Sequence, residues 1–449
     1  MSGTVLRKAS GILPRTVFPV CFPVSFALRP QLTMTVKLAL SARNRLRIKT
    51  LAAALSVASC MFMATSPAIA QSAGKKPPLL VQSQPQPAVQ QGQTFEEEII
   101  PQRYANNPNV DAFINDMVAR YDFDEAALHA LFAGVSYSAT AVKLVTPSPT
   151  PSVKNWRAYQ SRFLDQVRIN AGVRFWRANQ ATLQRAYEEF GVPPEVIVGI
   201  IGVETIYGRF MGNFRVLDAL TTLTFDYPDT ANRADRQATF RKNLEDYLVW
   251  THDAQIDPNT VLGSYTGAIG IPQFLPSSIV QYAVNYDGNK RIDLRTSEAD
   301  AIGSVANYLR QHGWENGRPV VWKIGTDAGS LGVAQAAADG QPEPHWPLDQ
   351  LLRAGLLLNE PQVNVASEAG TPVTIVDLPS PGRGTEYMLG LKNFYVLTRY
   401  NRSFFYALAV YQLGERVKAQ MASSDAVNGN GNGNGNGNGN AAVPGAASQ

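Results

Sequence analysis

The sequence predicts a mainly α-helical protein with a small β-rich lobe inserted late in the chain. Two observations carry this. Seven segments repeat apolar residues at i, i+3 and i+4, the spacing of one helix face. One stretch, about 320–392, breaks that period into short β-branched runs separated by Gly and Pro. No solenoid period runs through the chain.

The helical segments are Asn109 to Phe132, Ala171 to Phe190, Pro194 to Tyr207, Arg233 to Thr251, Ser277 to Tyr286, Glu298 to His312 and Ser403 to Lys418. The expected strands are Val320 to Ile324, Val363 to Val365 and Val373 to Val376. The 449 residues are ample for one large core, and 45% hydrophobic with 17% charged residues is an ordinary globular balance. The net charge is +4, but residues 1–70 hold nine Lys or Arg and no acid, leaving −5 for the rest. The overall basicity therefore gives no support for nucleic-acid binding.

Residues 1–70 read as an upstream extension followed by an export signal. Arg43, Arg45, Arg47 and Lys49 form a basic region, Leu51 to Met63 an apolar one, and Ala68-Ile69-Ala70 a cleavage site. Met34 is then a candidate initiator. Val57-Ala58-Ser59-Cys60 also has the form of a lipoprotein box, so Cys60 is either an apolar-region residue or a membrane attachment point. The other cysteine is Cys21, and cleavage after Ala70 leaves no thiol and no disulfide. The expected location is the periplasm of a Gram-negative bacterium, soluble or as an outer-membrane lipoprotein. Residues 71–95 are a Gln/Pro-rich tether and 423–449 an Asn/Gly-rich tail, both expected to be disordered. Residues 96–422 form the folded part.

Gly191-Val192-Pro193-Pro194-Glu195 opens a helix, with Pro tolerated in the first turn. Glu204 falls i+7 from Ile197, i+4 from Ile200 and i+3 from Ile201, so a carboxyl sits on an apolar face. An unpaired acid there loses hydration, holds its proton towards neutrality and becomes a proton donor. The alternative is a core acid paired with Arg209 or Arg215, and periodicity alone does not choose. Gly208 is the expected helix stop.

Val192-Pro193-Pro194-Glu195-Val196-Ile197-Val198-Gly199-Ile200-Ile201-Gly202-Val203-Glu204-Thr205 resembles the catalytic helix of the lytic murein transglycosylase B family, glycoside hydrolase family 103. Gly208-Arg209-Phe210-Met211-Gly212, Leu217-Asp218-Ala219-Leu220 and the loop Gly267-Ala268-Ile269-Gly270-Ile271-Pro272-Gln273-Phe274-Leu275-Pro276-Ser277-Ser278 follow in order. So do Ala301 to Leu309, Asn393-Phe394-Tyr395 and Thr398-Arg399-Tyr400-Asn401. The resemblance spans about residues 108–418. It implies a goose-lysozyme-like helical core with an additional helical region and the small β lobe. It also implies non-hydrolytic cleavage of the MurNAc–GlcNAc β-1,4 bond in peptidoglycan glycan strands, with Glu204 as the one acid/base and a 1,6-anhydro-MurNAc product. A second carboxylate is not needed when the substrate's own 6-hydroxyl is the nucleophile. Asp218 reads as structural, and Asp226 stays open as a second acid.

By the same resemblance Tyr159, Ser264, Gln273, Tyr308, Asn393, Tyr395 and Tyr400 are the substrate-contact candidates. Each tyrosine alone also fits ordinary packing. One departure stands out: family members often carry a basic pair after the Tyr-Pro matching Tyr227-Pro228, and here Asp229-Thr230 follows, with Arg233 and Arg236 later.

The stretch Asn285 to Asp293 places Asn285, Asp287, Asn289 and Asp293 at EF-hand positions 1, 3, 5 and 9, with the Arg291 carbonyl at position 7. Asp300 matches a late carboxylate of the family, which by the resemblance makes it a further candidate ligand. Lys290 replaces the usual Gly at position 6, so the loop reads as either a structural calcium site or a metal-free turn. His129, His252, His312 and His345 are scattered, which gives no zinc signature. No cofactor is needed for the chemistry, and a monomer is expected. Competing functions are a water-using muramidase and a catalytically silent wall-binding protein.

Overall fold

The computed structural model describes residues 102–150 and 152–430. The export signal with Cys21 and Cys60, the 71–95 tether and the tail beyond 430 lie outside the described residues.

The helices are α1 (Pro108–Tyr121), α2 (Glu125–Ala133), α3 (Ala139–Val145), α4 (Trp156–Phe163), α5 (Gln166–Ala178), α6 (Gln180–Phe190), α7 (Pro194–Thr205) and α8 (Val216–Phe225). They continue with α9 (Arg233–Asp253), α10 (Pro276–Tyr282), α11 (Glu298–Gln311), α12 (Ala328–Ala337), α13 (Leu348–Arg353), α14 (Val365–Glu368), α15 (Lys392–Tyr400) and α16 (Phe404–Asn430). The strands are β1 (Phe214–Arg215), β2 (Leu262–Gly263), β3 (Val321–Lys323), β4 (Trp346–Pro347), β5 (Pro372–Leu378) and β6 (Glu386–Gly390). β1 and β2 make a two-stranded ribbon, and the others a sheet in the order β3-β6-β5-β4, antiparallel throughout.

Polar caps set many of the helix starts. Asn107, Asp124, Ser138, Asn155, Asp165 and Ser297 each accept a first-turn N–H that has no partner inside its helix. Two expected helices are therefore each two. The segment Asn109 to Phe132 breaks where Asp122 turns left-handed (φ 58°) and Asp124 caps α2. The segment Ala171 to Phe190 breaks at Asn179, which closes α5 and opens α6. At the other end the expected tail boundary moves, because α16 carries helix through 423–430.

The sheet separates two cores. In β5, Val373 and Ile375 point into a lobe cluster with Trp322, Leu348, Leu351 and Leu389. Val376 and Leu378 point into the main core beside Phe394 and Val321. Side chains alternate along a strand, so a strand buried on both faces reads as one apolar run. The expected strand Val363 to Val365 is wrong: Asn364 accepts the Ala366 N–H at 3.1 Å and starts the short helix α14. A local Asx cap outcompetes the β preference of the two valines.

The core is organised around α7 and α16, which touch backbone to backbone. A Cβ on Gly199 would stand 2.3 Å from the Val410 carbonyl oxygen, and one on Gly414 would stand 2.1 Å from that of Glu195. Only glycine permits this crossing, and it delivers the N-terminal turns of α16 to the C-terminal turn of α7.

Candidate active site

α7 is buried along nearly its whole length and ends immediately after Glu204. The stop is not at Gly208. Ile206 (φ 50°) and Tyr207 (φ 59°) are both left-handed, and their N–H groups turn back to the Ile201 carbonyl. A β-branched residue in that region is strained. Thr205 compensates: its hydroxyl donates to the Ile271 carbonyl at 2.8 Å and accepts the Gly208 N–H at 2.9 Å. Glu204 is thus held at the negative end of a helix, where a carboxylate is disfavoured.

Glu204 is half-buried. Burial pushes its carboxyl up to about 7, opposed by one hydrogen bond, from the Tyr406 hydroxyl to Oε1 at 2.5 Å. The alternative of an arginine-paired core acid is not what the structure contains. Arg215 donates to Asp218 Oδ1 at 2.8 Å and to the Gly134 carbonyl, and Arg209 is exposed. Among the described residues no ion pair involves Glu204. Asp226, left open by the sequence, is held by Arg103 at 2.8 and 3.1 Å and by the Tyr104 hydroxyl at 2.8 Å. Asp218 accepts the Ser136 N–H at 3.0 Å as well as Arg215, a structural role.

Aromatic rings surround the acid. Tyr159 and Tyr400 both lie within its electrostatic reach, and burial raises both hydroxyls' proton affinity. Tyr400 stacks on Tyr406 (13°, 6.4 Å) and meets Tyr308 edge-on at 5.0 Å. Its hydroxyl donates to the Pro272 carbonyl at 2.5 Å, while that of Tyr308 donates to the Arg399 carbonyl at 2.7 Å. The buried Tyr159 hydroxyl has no partner among the described residues. Gln273 is left-handed (φ 53°), and its amide N–H groups close its own loop on the Met211 and Gly270 carbonyls at 3.1 and 2.9 Å. The loop is pinned at two adjacent carbonyls, Ile271 by Thr205 and Pro272 by Tyr400, so α7, α15 and α16 meet around one acid.

Residues 105–415 match the family described as Transglycosylase SLT domain. The chain belongs to this family. It is similar to membrane-bound lytic murein transglycosylase B of Escherichia coli K12, 40% identical over 325 residues, 70% of this chain and 84% of that protein. It is similar to the soluble lytic transglycosylase SltB1 of Pseudomonas aeruginosa, with 40% identity, TM-score 0.63, and coverage of 70% of this chain and 100% of that one. It is also similar to the Escherichia coli lytic transglycosylase Slt35 in complex with calcium, with 38% identity, TM-score 0.62, and coverage of 72% and 97%. The fold is accordingly that of the lytic transglycosylases, with a lysozyme-like helical core.

In this transglycosylase SLT-domain chain the other sequence candidates are placed as follows. Ser264 is buried; its hydroxyl accepts the Ala268 N–H at 3.0 Å and shares a hydrogen bond with Thr266 at 3.1 Å, which shapes the loop before Gln273. Asn393 is fully buried and joins the lobe to the core, accepting the Glu315 N–H at 2.8 Å and donating to the Glu315 and Arg318 carbonyls at 2.9 and 2.7 Å. Tyr395 lies under Lys392 and Arg399. The structure therefore gathers Tyr159, Tyr308, Tyr400 and the Gln273 loop near Glu204, and spends the polar groups of Ser264 and Asn393 on architecture. Tyr406 was missed: nothing in its sequence surroundings separates it from the apolar face of its helix.

The Asn285–Asp300 loop is closed by its own side chains. Lys290 adopts φ 76° where an EF-hand uses Gly, and Asn285, Asp287 and Asn289 each accept an N–H two or three residues on. Asp293 accepts from Arg295, and Asp300, fully buried, takes the Tyr286, Asp287 and Asp293 N–H groups at 2.6, 3.1 and 2.8 Å. Asp300 thus ties the loop from behind. Among the described residues no three of His, Cys, Asp or Glu gather as a metal-binding group.

Proposed function

We propose that this lytic transglycosylase cleaves the MurNAc–GlcNAc β-1,4 bond of peptidoglycan glycan strands without water, with Glu204 as its one acid/base. The observation that carries the reading is a half-buried acid at the C-terminal end of α7 that is bonded by the Tyr406 hydroxyl, has no ion pair among the described residues and is pushed up to about 7 by burial, while the other candidate carboxylates, Asp218 and Asp226, are engaged elsewhere. Glu204 protonates the glycosidic oxygen as the bond to MurNAc C1 breaks, and the GlcNAc hydroxyl leaves. The carboxylate then takes the proton of the MurNAc 6-hydroxyl as that oxygen bonds to C1. A 1,6-anhydro ring forms, Glu204 is protonated again, and no co-reactant is consumed. Tyr400, with Tyr159 and Tyr308 packed around it, is the ring best placed beside Glu204 to meet a sugar, and Ser264 and Gln273 hold the loop next to it; Tyr395 and Asn393 stay candidates by family resemblance alone.

The 285–300 loop supports a structural cation role, with side-chain oxygens of Asn285, Asp287, Asn289 and Asp293 and the Arg291 carbonyl as donors to calcium and Asp300 as the brace behind them. The cation would steady the loop and take no part in the chemistry. Envelope localisation, periplasmic with or without attachment through Cys60, belongs to the same proposal. It is supported by the export-signal reading and by a relative named as membrane-bound. No helix among the described residues is long and apolar enough to cross a membrane.

Mass spectrometry of sacculi digested with the purified protein tests the reaction. Anhydro-MurNAc ends are expected; reducing MurNAc ends identify a muramidase, and intact strands a silent binder.

A further inference from the structure

Tyr406 is outside every motif quoted above, yet its hydroxyl is the one that bonds the acid. It is 3% exposed, and a buried phenol usually finds a hydrogen-bond partner. The other tyrosine hydroxyls around the acid do not bond it: Tyr400 donates to Pro272, Tyr308 donates to Arg399, and that of Tyr159 has no partner among the described residues. Tyr406 reaches Oε1 of Glu204 at 2.5 Å because the glycine crossing of α7 and α16 sets its height, and Tyr400 flanks its ring. We infer that Tyr406 is a positioning residue that occupies Oε1 of Glu204 and reserves Oε2 for both proton transfers.

A neutral carboxyl has one oxygen that accepts and one that carries the proton. With the Tyr406 O–H donating to Oε1, the acid proton sits on Oε2, the atom that meets the glycosidic oxygen. After that proton leaves, the same bond becomes charge-assisted and steadies the carboxylate until the 6-hydroxyl proton returns to Oε2. The titratable groups facing the pair are Tyr400 from α15 and Tyr159 from α4, both kept neutral by burial, with Arg162 acting on Tyr159. The inference rests on the acid/base role of Glu204.

Tyr406→Phe keeps the ring and removes the bond. With soluble glycan strands across pH 5–9, kcat is expected to fall roughly 10- to 100-fold while KM stays within about twofold. The alkaline limb of kcat, where Glu204 loses its proton, is expected to move to higher pH, because the bond favouring the carboxylate is gone. Unchanged kcat with an unmoved limb, or a loss confined to KM, overturns the inference. Difluorotyrosine at 406 keeps the ring and sharpens the donor, so the limb should move to lower pH; a limb that stays or rises overturns it too. Full turnover in Glu204→Gln would sink the acid/base reading itself. An inactive Glu204→Gln beside a wild-type-like Tyr406→Phe sinks this inference alone.

Discussion

Glu204 in the helical core and Glu368 in the β lobe are the same residue given opposite surroundings. Glu368 accepts two bonds from the Arg318 guanidinium at 2.7 Å each and one from Thr371 at 2.5 Å, which pull its carboxyl down to about 2. Glu204 has no cation and one phenol, and burial dominates. Asp226 with Arg103 and Glu245 with Arg120 follow the pattern of Glu368. The lesson is that most of these acids are satisfied by a cation; among the described residues burial also raises Glu415, but Glu204 is the acid pushed furthest and the one placed among tyrosines at a helix end.

The largest way to break the contrast is Glu204→Gln, which keeps shape and removes the titrating proton. Turnover of sacculi should fall by about 10³-fold or more while sedimentation with sacculi is retained. Next is Gly414→Ala: its Cβ meets the Glu195 carbonyl, so α16 must shift, costing roughly 1–3 kcal/mol by denaturant unfolding and lowering turnover as Tyr406 moves with it. The sign of the Glu204 shift makes a third test. Its folded pKa is raised, so its contribution is fully favourable below about 4.5 and is lost as pH rises through about 7. Glu204→Gln escapes that loss, and its Tm should exceed wild type by roughly 2–5 °C at pH 8 and match it near pH 4.5.

Glu368→Gln has the opposite sign. The depressed pKa means its stabilisation is present above about 4.5 and disappears as pH falls through about 2. The variant should lose about 1 kcal/mol or less at pH 7 and nothing near pH 2, read by Trp fluorescence of the lobe. The smallest effect is expected at the 285–300 loop: chelation should lower Tm by roughly 1–3 °C and leave kcat unchanged, whereas a chelated protein with lost kcat would contradict a purely structural ion.

The core was largely legible because helix periodicity is local. Glu204 stood out by its spacing from Ile197, Ile200 and Ile201, and α9 and α11 lie close to where the pattern put them. The lobe was less legible: β4 has two residues, and β6 gains its strand character only by pairing with β3 and β5. The ownership of Glu204 was not legible either. Tyr406 is 202 residues away, and only the glycine contacts between α7 and α16 bring them together. Asp226 looked free until the chain near Arg103 folded over it. Ser264 and Asn393 carried polar groups that turned inwards to satisfy backbone, which no pattern of residue types reveals.

The claim beneath all of this is a carboxyl that keeps its proton near neutrality because the fold buries it and provides no cation to offset that burial. Infrared difference titration of the wild-type protein against Glu204→Gln isolates that carboxyl. A midpoint at about 7, absent from the variant, is expected. A midpoint in the ordinary glutamate range, near 4.5, would contradict it.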